Sequence, residues 1–243
     1  MKHKLHHYLF GLVLIGLMTG CSISSGLSLR GSGDVITLEY DFTDFDRVAA
    51  GFAFNVDIRQ GESFSVVVRV DDNLEQYLEV VQEDDILRIG LELDQNYNFR
   101  RVTLEAVVTM PSLSGVSISG TSSGTITGFS STHALDVNVS GASSLSGDIE
   151  AGDASIEVSG SSRLTLTGSA EDVIIHASGS SVVDLENFPV TNANIDLSGA
   201  SQTTVLTHGR LDVEASGGST VYYLGDPTLG TTHTSGGSSI ERK

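Results

Sequence analysis

Two hydrophobic patterns divide the chain. Between residues 34 and 110, apolar and polar side chains alternate with period two at 35–40, 52–61, 64–70, 85–93 and 102–110, with Gly or Asp/Asn clusters between the runs. Alternation of this kind, rich in β-branched residues, predicts half-buried strands. Gln60-Gly61-Glu62 reads as a hairpin-type turn between two of them, and residues 71–78, opening on Asp71, read as a short helical turn.

Beyond Pro111 the chain repeats itself. Ser-Gly pairs begin at Ser119, Ser140, Ser159, Ser178, Ser198, Ser216 and Ser235, at spacings of 21, 19, 19, 20, 18 and 19 residues. Three positions before each serine stand Val116, Val137, Ile156, Ile175, Ile195, Val213 and Thr232. One position before stand Ile118, Val139, Val158, Ala177, Leu197, Ala215 and Thr234. Between these apolar columns runs a polar one, Ser117, Asn138, Glu157, His176, Asp196, Glu214 and His233, and a second serine follows each pair at Ser122, Ser143, Ser162, Ser181, Ser201, Ser219 and Ser238. A second alternating run follows, clearest at Leu164 with Leu166, Val183 with Leu185, and Val221 with Tyr223. Each repeat therefore holds two short strands joined at a Ser-Gly-x-Ser corner. One such unit cannot bury its apolar face alone, whereas stacked copies share a core.

The expected fold is all-β: a right-handed parallel β-helix with coils of about 19 residues over 111–243, preceded by a β-rich region at 34–110. Glycine suits the corner conformation, and the aligned serines are placed for a hydroxyl ladder from coil to coil. A flexible Ser/Gly linker gives no reason for Val and Ile to stay in register across the repeats.

The first residues describe export. A cationic start at 2–7, an apolar run at 8–18 and small residues before Cys21 match a signal peptide over 1–20. The apolar run is shorter than the ~20 residues of a spanning helix. Cys21 is the one cysteine, so it forms no internal disulfide. Thr19-Gly20-Cys21 after Leu17-Met18 resembles the bacterial lipobox, with Met18 where Leu is commoner. That resemblance implies lipid attachment at Cys21 and, with Ser22 following, sorting to the outer membrane of a Gram-negative envelope. Residues 21–33 then read as a lipidated tether. Of the 13 Lys and Arg residues, Lys2 and Lys4 leave with the leader, so 11 basic side chains face 31 acidic ones, a net charge of −20. A charge of that sign argues against nucleic acid, whose binding rests on Lys and Arg neutralising phosphates.

The order of motifs resembles the head GIN domain family of putative autotransporter adhesins. The matching elements are Phe45-Asp46-Arg47-Val48, Val56-Asp57-Ile58-Arg59-Gln60-Gly61, Asn73-Leu74, Leu87-Arg88-Ile89 and Met110-Pro111-Ser112-Leu113, followed by the Ser-Gly repeats. The resemblance spans about 34 to 240 and implies an exported or surface-held β-helical protein. It implies no particular ligand.

Candidate chemistry is sparse. Glycoside hydrolysis needs two carboxylates about 5–9.5 Å apart, and Asp196 with Glu214, on adjacent coils of the polar column, is the best pair; Glu157 lies further along between Asn138 and His176. A lyase would want Lys or Arg near a bound uronate, and the repeats offer Arg163 and Arg210 before Arg242 and Lys243. His133, His176, His208 and His233 fall on separate coils without metal-ligand spacing. Clusters 71–73 and 83–85 read as turns, though a loose Ca²⁺ would suit them. No cofactor, metal or catalytic residue is expected, because a structural device repeats whereas an active site occurs once. Three readings follow: a surface adhesion module for a glycan or protein ligand, a carbohydrate-active enzyme, and a periplasm-facing structural protein of the envelope. An uncapped last coil leaves strand edges on which a second copy could pair.

Overall fold

A computed structural model describes residues 27–93 and 97–243. The expected leader at 1–20, the expected lipidation site Cys21 and the first part of the tether lie outside the described residues. In the first half the strands are β1 (Leu27–Arg30), β2 (Val35–Tyr40), β3 (Arg47–Ala50), β4 (Asn55–Gln60), β5 (Ser65–Asp71), β6 (Leu78–Glu83), β7 (Ile86–Leu91), β8 (Tyr97–Arg100) and β9 (Leu104–Met110). One short 3-10 helix, Asp72–Tyr77, stands between β5 and β6 where the sequence predicts a helical turn. The strand expected at 52–61 begins only at Asn55, because Phe52 and Ala53 adopt positive φ and form a turn. Strands β1, β3, β6 and β8 are additions to the predicted set.

In the second half one series of strands comprises β10 (Gly115–Ile118), β12 (Leu135–Val139), β14 (Ala154–Val158), β16 (Asp172–Ala177), β18 (Asn192–Leu197), β20 (Arg210–Ala215) and β22 (Thr228–Thr234). These alternate along the chain with β11 (Ser123–Ser130), β13 (Ser144–Glu150), β15 (Arg163–Ser169), β17 (Val182–Val190), β19 (Gln202–Thr207), β21 (Thr220–Leu224) and β23 (Ser239–Arg242). The first series stacks in parallel into a ten-stranded sheet and the second into an eleven-stranded one, so the chain winds as a β-solenoid of stacked coils. Register follows the repeat read from sequence: Val137 lies beside Val116 and Ile156, and Asn138 beside Ser117 and Glu157.

Both sheets continue into the first half. Strand β3 pairs in parallel with β10 on one side and β7 on the other, while β4 pairs in parallel with β11 and β9. The β3–β4 coil therefore sits between two coils made from later parts of the chain. Beyond them the end is closed by antiparallel strands, β6 on β7 and β5 with β2 on β9. The turn at Gly61 is present, but the strands it joins do not form a hairpin: β9 lies between β4 and β5. Strand β1 pairs with β8, and the buried carboxylate of Asp71 holds this segment by accepting from the N–H groups of Gly33 at 2.8 Å and Thr103 at 2.6 Å.

Inward side chains of the two sheets form one continuous apolar core running from Phe45 to Val221. Burying each Val, Ile or Leu contributes on the order of 1.5–3 kcal/mol before the entropy of ordering is counted. The corners are built on backbone. Gly120, Gly141, Gly160, Gly179, Gly199, Gly217 and Gly236 all have φ between 72° and 81°. From Gly141 onward, the residue after each glycine donates its N–H to the glycine carbonyl one coil earlier, as in Ala142 to Gly120 at 2.8 Å and Ser180 to Gly160 at 2.7 Å. A Cβ on Gly160 would lie 2.3 Å from the Gly141 carbonyl oxygen.

The expected hydroxyl ladder is only partly present. Ser181 and Ser201 meet at 3.3 Å, but Ser201 and Ser219 donate within their own corners, to the carbonyls of Ser198 and Ser216 at 2.8 Å. Among the described residues, the buried hydroxyls of Ser122 and Ser143 have no hydrogen-bond partner. Coil-to-coil continuity is thus carried by main-chain groups. At the far end, β22 and β23 each pair on one side only among the described residues. There the inward column changes from Val213 and Ala215 to Thr232 and Thr234, and Leu229 is 49% exposed.

Candidate functional site

Alternation in the ten-stranded sheet sends two columns of side chains outward. One runs Arg88, Ala49, Ser117, Asn138, Glu157, His176, Asp196, Glu214 and His233; the other includes Arg47, Asp136, Ser155, Ile174, Asn194 and Asp212. Small residues at Ala49 and Gly115 interrupt these columns and create depth. There a groove of about 400 Å³ is lined by Arg47, Arg88, Ser117, Asp136, Asn138 and Glu157. It shares Asn138 and Glu157 with a shallower depression reaching His176 and Asp196. At its other end it shares Ala49, Arg88 and Ser117 with a depression of about 210 Å³ bordered by Phe52. The result is a shallow trough that crosses successive strands along the solenoid axis.

In the main groove Arg47 and Arg88 face Asp136 and Glu157, and the depressions at its two ends add the carboxylates of Glu79 and Asp196, so the trough as a whole is acidic. Arg47 bridges Asp136 at 2.7 Å and Asp85 at 3.5 Å, and its hydrogen bond to Asp136 raises the guanidinium pKa further. Arg88 pairs with Glu83 at 2.5 Å. The Arg47 guanidinium lies over Gly115, where a Cβ would come within 3.1 Å of it. Farther along, Asn138 donates to Glu157 at 3.1 Å, and the His176 ring lies 3.8 Å from the Asp196 carboxylate. Near the open end Arg210 grips Asp212, and that hydrogen bond, with the N–H of Thr231 at 2.6 Å, holds the Asp212 carboxyl below the usual range.

The residues singled out in the sequence fall as follows. Asp196 and Glu214 are register neighbours on β18 and β20, both exposed on the open sheet face. His176 and His233 share a column, with β18 and β20 between their strands. His133 contacts Ser131, two residues away, at 3.1 Å. Among the described residues no group of three or more His, Cys, Asp or Glu is placed to hold a metal ion. In the acidic clusters, Asp71 serves backbone N–H groups, Glu83 pairs with Arg88, and Asp85 pairs with Arg47. Arg47, Arg88 and Phe52 were not among the sequence candidates. The signal that could have found them is the apolar pair Val48 and Ala50, which stands in register with Val116 and Ile118.

A family model described as "Putative auto-transporter adhesin, head GIN domain" matches residues 44–227. The chain belongs to the head GIN domain family. The match takes in β3 and β4 as well as most of the Ser-Gly coils, so the head GIN domain spans both halves of the sequence. Among solved structures, a putative adhesin from Bacteroides fragilis is similar at a TM-score of 0.80 and 20% identity, covering 89% of this chain and 100% of that one. A putative lipid binding protein from Parabacteroides distasonis gives 0.73 and 17%, covering 89% and 99%. A putative adhesin from Parabacteroides merdae gives 0.68 and 16%, covering 90% and 100%. At these identities the likeness is one of fold. No curated protein matches the chain.

Proposed function

We propose that this head GIN domain protein is a binding module of the bacterial cell envelope, tethered to the outer membrane by lipid on Cys21 and working without catalysis. The observation that carries the reading is the trough. Its polar groups recur coil after coil along one sheet, as a long contact surface requires, whereas a reaction requires one convergent set. Donors and acceptors at about strand spacing (~4.8 Å) suit an extended ligand held at several points. The leader and the Thr19-Gly20-Cys21 segment support export and lipidation.

Protease treatment of intact and lysed cells tests the location, with Cys21→Ser as the anchoring control. Digestion of the wild-type protein in intact cells, with the variant released to the soluble fraction, is the expected result. Protection until lysis would overturn surface binding and favour a structural role inside the envelope. A second reading, polysaccharide hydrolysis, draws on the register of Asp196 with Glu214; it requires product release that disappears in Asp196→Asn.

A further inference from the structure

The first corner of the solenoid departs from all the others. Ala50 is in register with Ile118, and Asn55 with Ser123. The four residues between place Phe52 where the later corners have glycine. Phe52 has φ 58° and Ala53 has φ 68°. For a bulky L-residue this left-handed conformation is an outlier that costs on the order of 1–2 kcal/mol, and such outliers concentrate at functional sites.

The strained residue is also exposed. Phe52 is 48% exposed as a residue, the highest value among the described phenylalanines, and it borders the end of the trough. One edge of the ring crosses Gly90 of β7, where a Cβ would stand 3.3 Å from the ring carbon Cδ2. Beside the ring the floor is kept low by Ala49 and Gly51. Glu79, Arg88, Ser117 and Ser119 line the same depression.

An aromatic face beside a low floor, rimmed by donors and acceptors, matches one ligand chemistry closely. A pyranose ring has an apolar face of C–H groups and an equatorial rim of hydroxyls. Aromatic rings engage such C–H groups through their negative face, while charged side chains make the stronger hydrogen bonds to the rim. Arg88 is balanced by Glu83, so the site has no excess positive charge for a phosphate or sulfate.

We infer that Phe52 is a sugar-stacking platform, and that the trough leading from it takes a saccharide chain with one ring seated on Phe52. This inference rests on the binding-module reading and names its ligand class.

The test uses the purified full-length protein in detergent and a panel of neutral oligosaccharides of two to six residues, built from glucose, galactose and their N-acetylamino forms. Calorimetric titration gives affinity, and saturation-transfer NMR with irradiation of aromatic protons gives contact. Phe52→Gly is the decisive variant, because glycine accepts the positive φ without strain and the fold is expected to keep its melting temperature. The expected result is binding of at least one oligosaccharide, at least tenfold weaker in Phe52→Gly, retained in Phe52→Tyr, and weakened in Glu79→Gln. Equal affinity in wild type and Phe52→Gly would overturn the platform. Failure of the wild type to bind any member of the panel would overturn the saccharide assignment. The protease experiment above involves no sugar and decides the wider reading separately.

Discussion

The first corner and the Ser-Gly corners occupy the same place in successive coils, and they solve it differently. In the repeats, each corner rests on the corner before it. A Cβ on Gly141, Gly160, Gly179, Gly199 or Gly217 would come within 2.3–2.5 Å of a main-chain oxygen in that neighbour. At the first corner the coil beneath is made from β7 and β9, which are joined through β8 rather than through a four-residue turn. With no corner below it, Phe52 keeps the positive φ and turns its ring over Gly90. The difference shows that stacking, more than the turn itself, demands glycine.

Exchanging residues between the two kinds of corner tests that account. Gly160→Ala should have the largest effect. It adds about 1–2 kcal/mol for the left-handed conformation and about 1–3 kcal/mol for displacing the backbone beneath, read as a lowered denaturation midpoint. Ser219→Ala removes the 2.8 Å bond to the Ser216 carbonyl and should cost about 0.5–1.5 kcal/mol by the same measurement. Ser122→Ala, at the equivalent place nearer the first corner, should be neutral or should stabilise by up to about 1 kcal/mol, since its buried hydroxyl has no partner to lose. Phe52→Gly should change stability least, within about 1 kcal/mol, because relief of strain offsets the lost ring contact and the greater entropy of the unfolded chain. A Phe52→Gly loss as large as that of Gly160→Ala would break the comparison.

The second half was legible in the sequence because stacking imposes two constraints at once. Val137, Ile156 and Ile175 must face inward, and Gly141, Gly160 and Gly179 must recur at the corner, so both the period and the register show. The first half was legible only as strands. Its pairing joins β3 to β7 and β10, and β4 to β9 and β11, and alternation along one strand carries no record of a partner so distant. Gln60-Gly61-Glu62 suggested a hairpin for the same reason. The polar column from Ser117 to His233 was placed correctly, but its extension past β10 to Ala49 and Arg88 was not. Phe52 was hidden because Gly51-Phe52-Ala53-Phe54 shares no residue type in register with Ser119-Gly120-Thr121-Ser122.

The insertion of the β3–β4 coil between later segments has a kinetic consequence. Its neighbours on one side are not complete until Met110, and those on the other bond across 68 positions, as Ser123 does to Asn55. Each subsequent coil closes a loop of only about 19 residues onto an edge that already exists. Loop-closure entropy grows with chain separation, and contacts distant in sequence form slowly. Assembly therefore divides into one slow nucleation, centred on β3, β4, β7 and β9, and a rapid zippering that proceeds toward the C-terminus in the order in which the chain is synthesised.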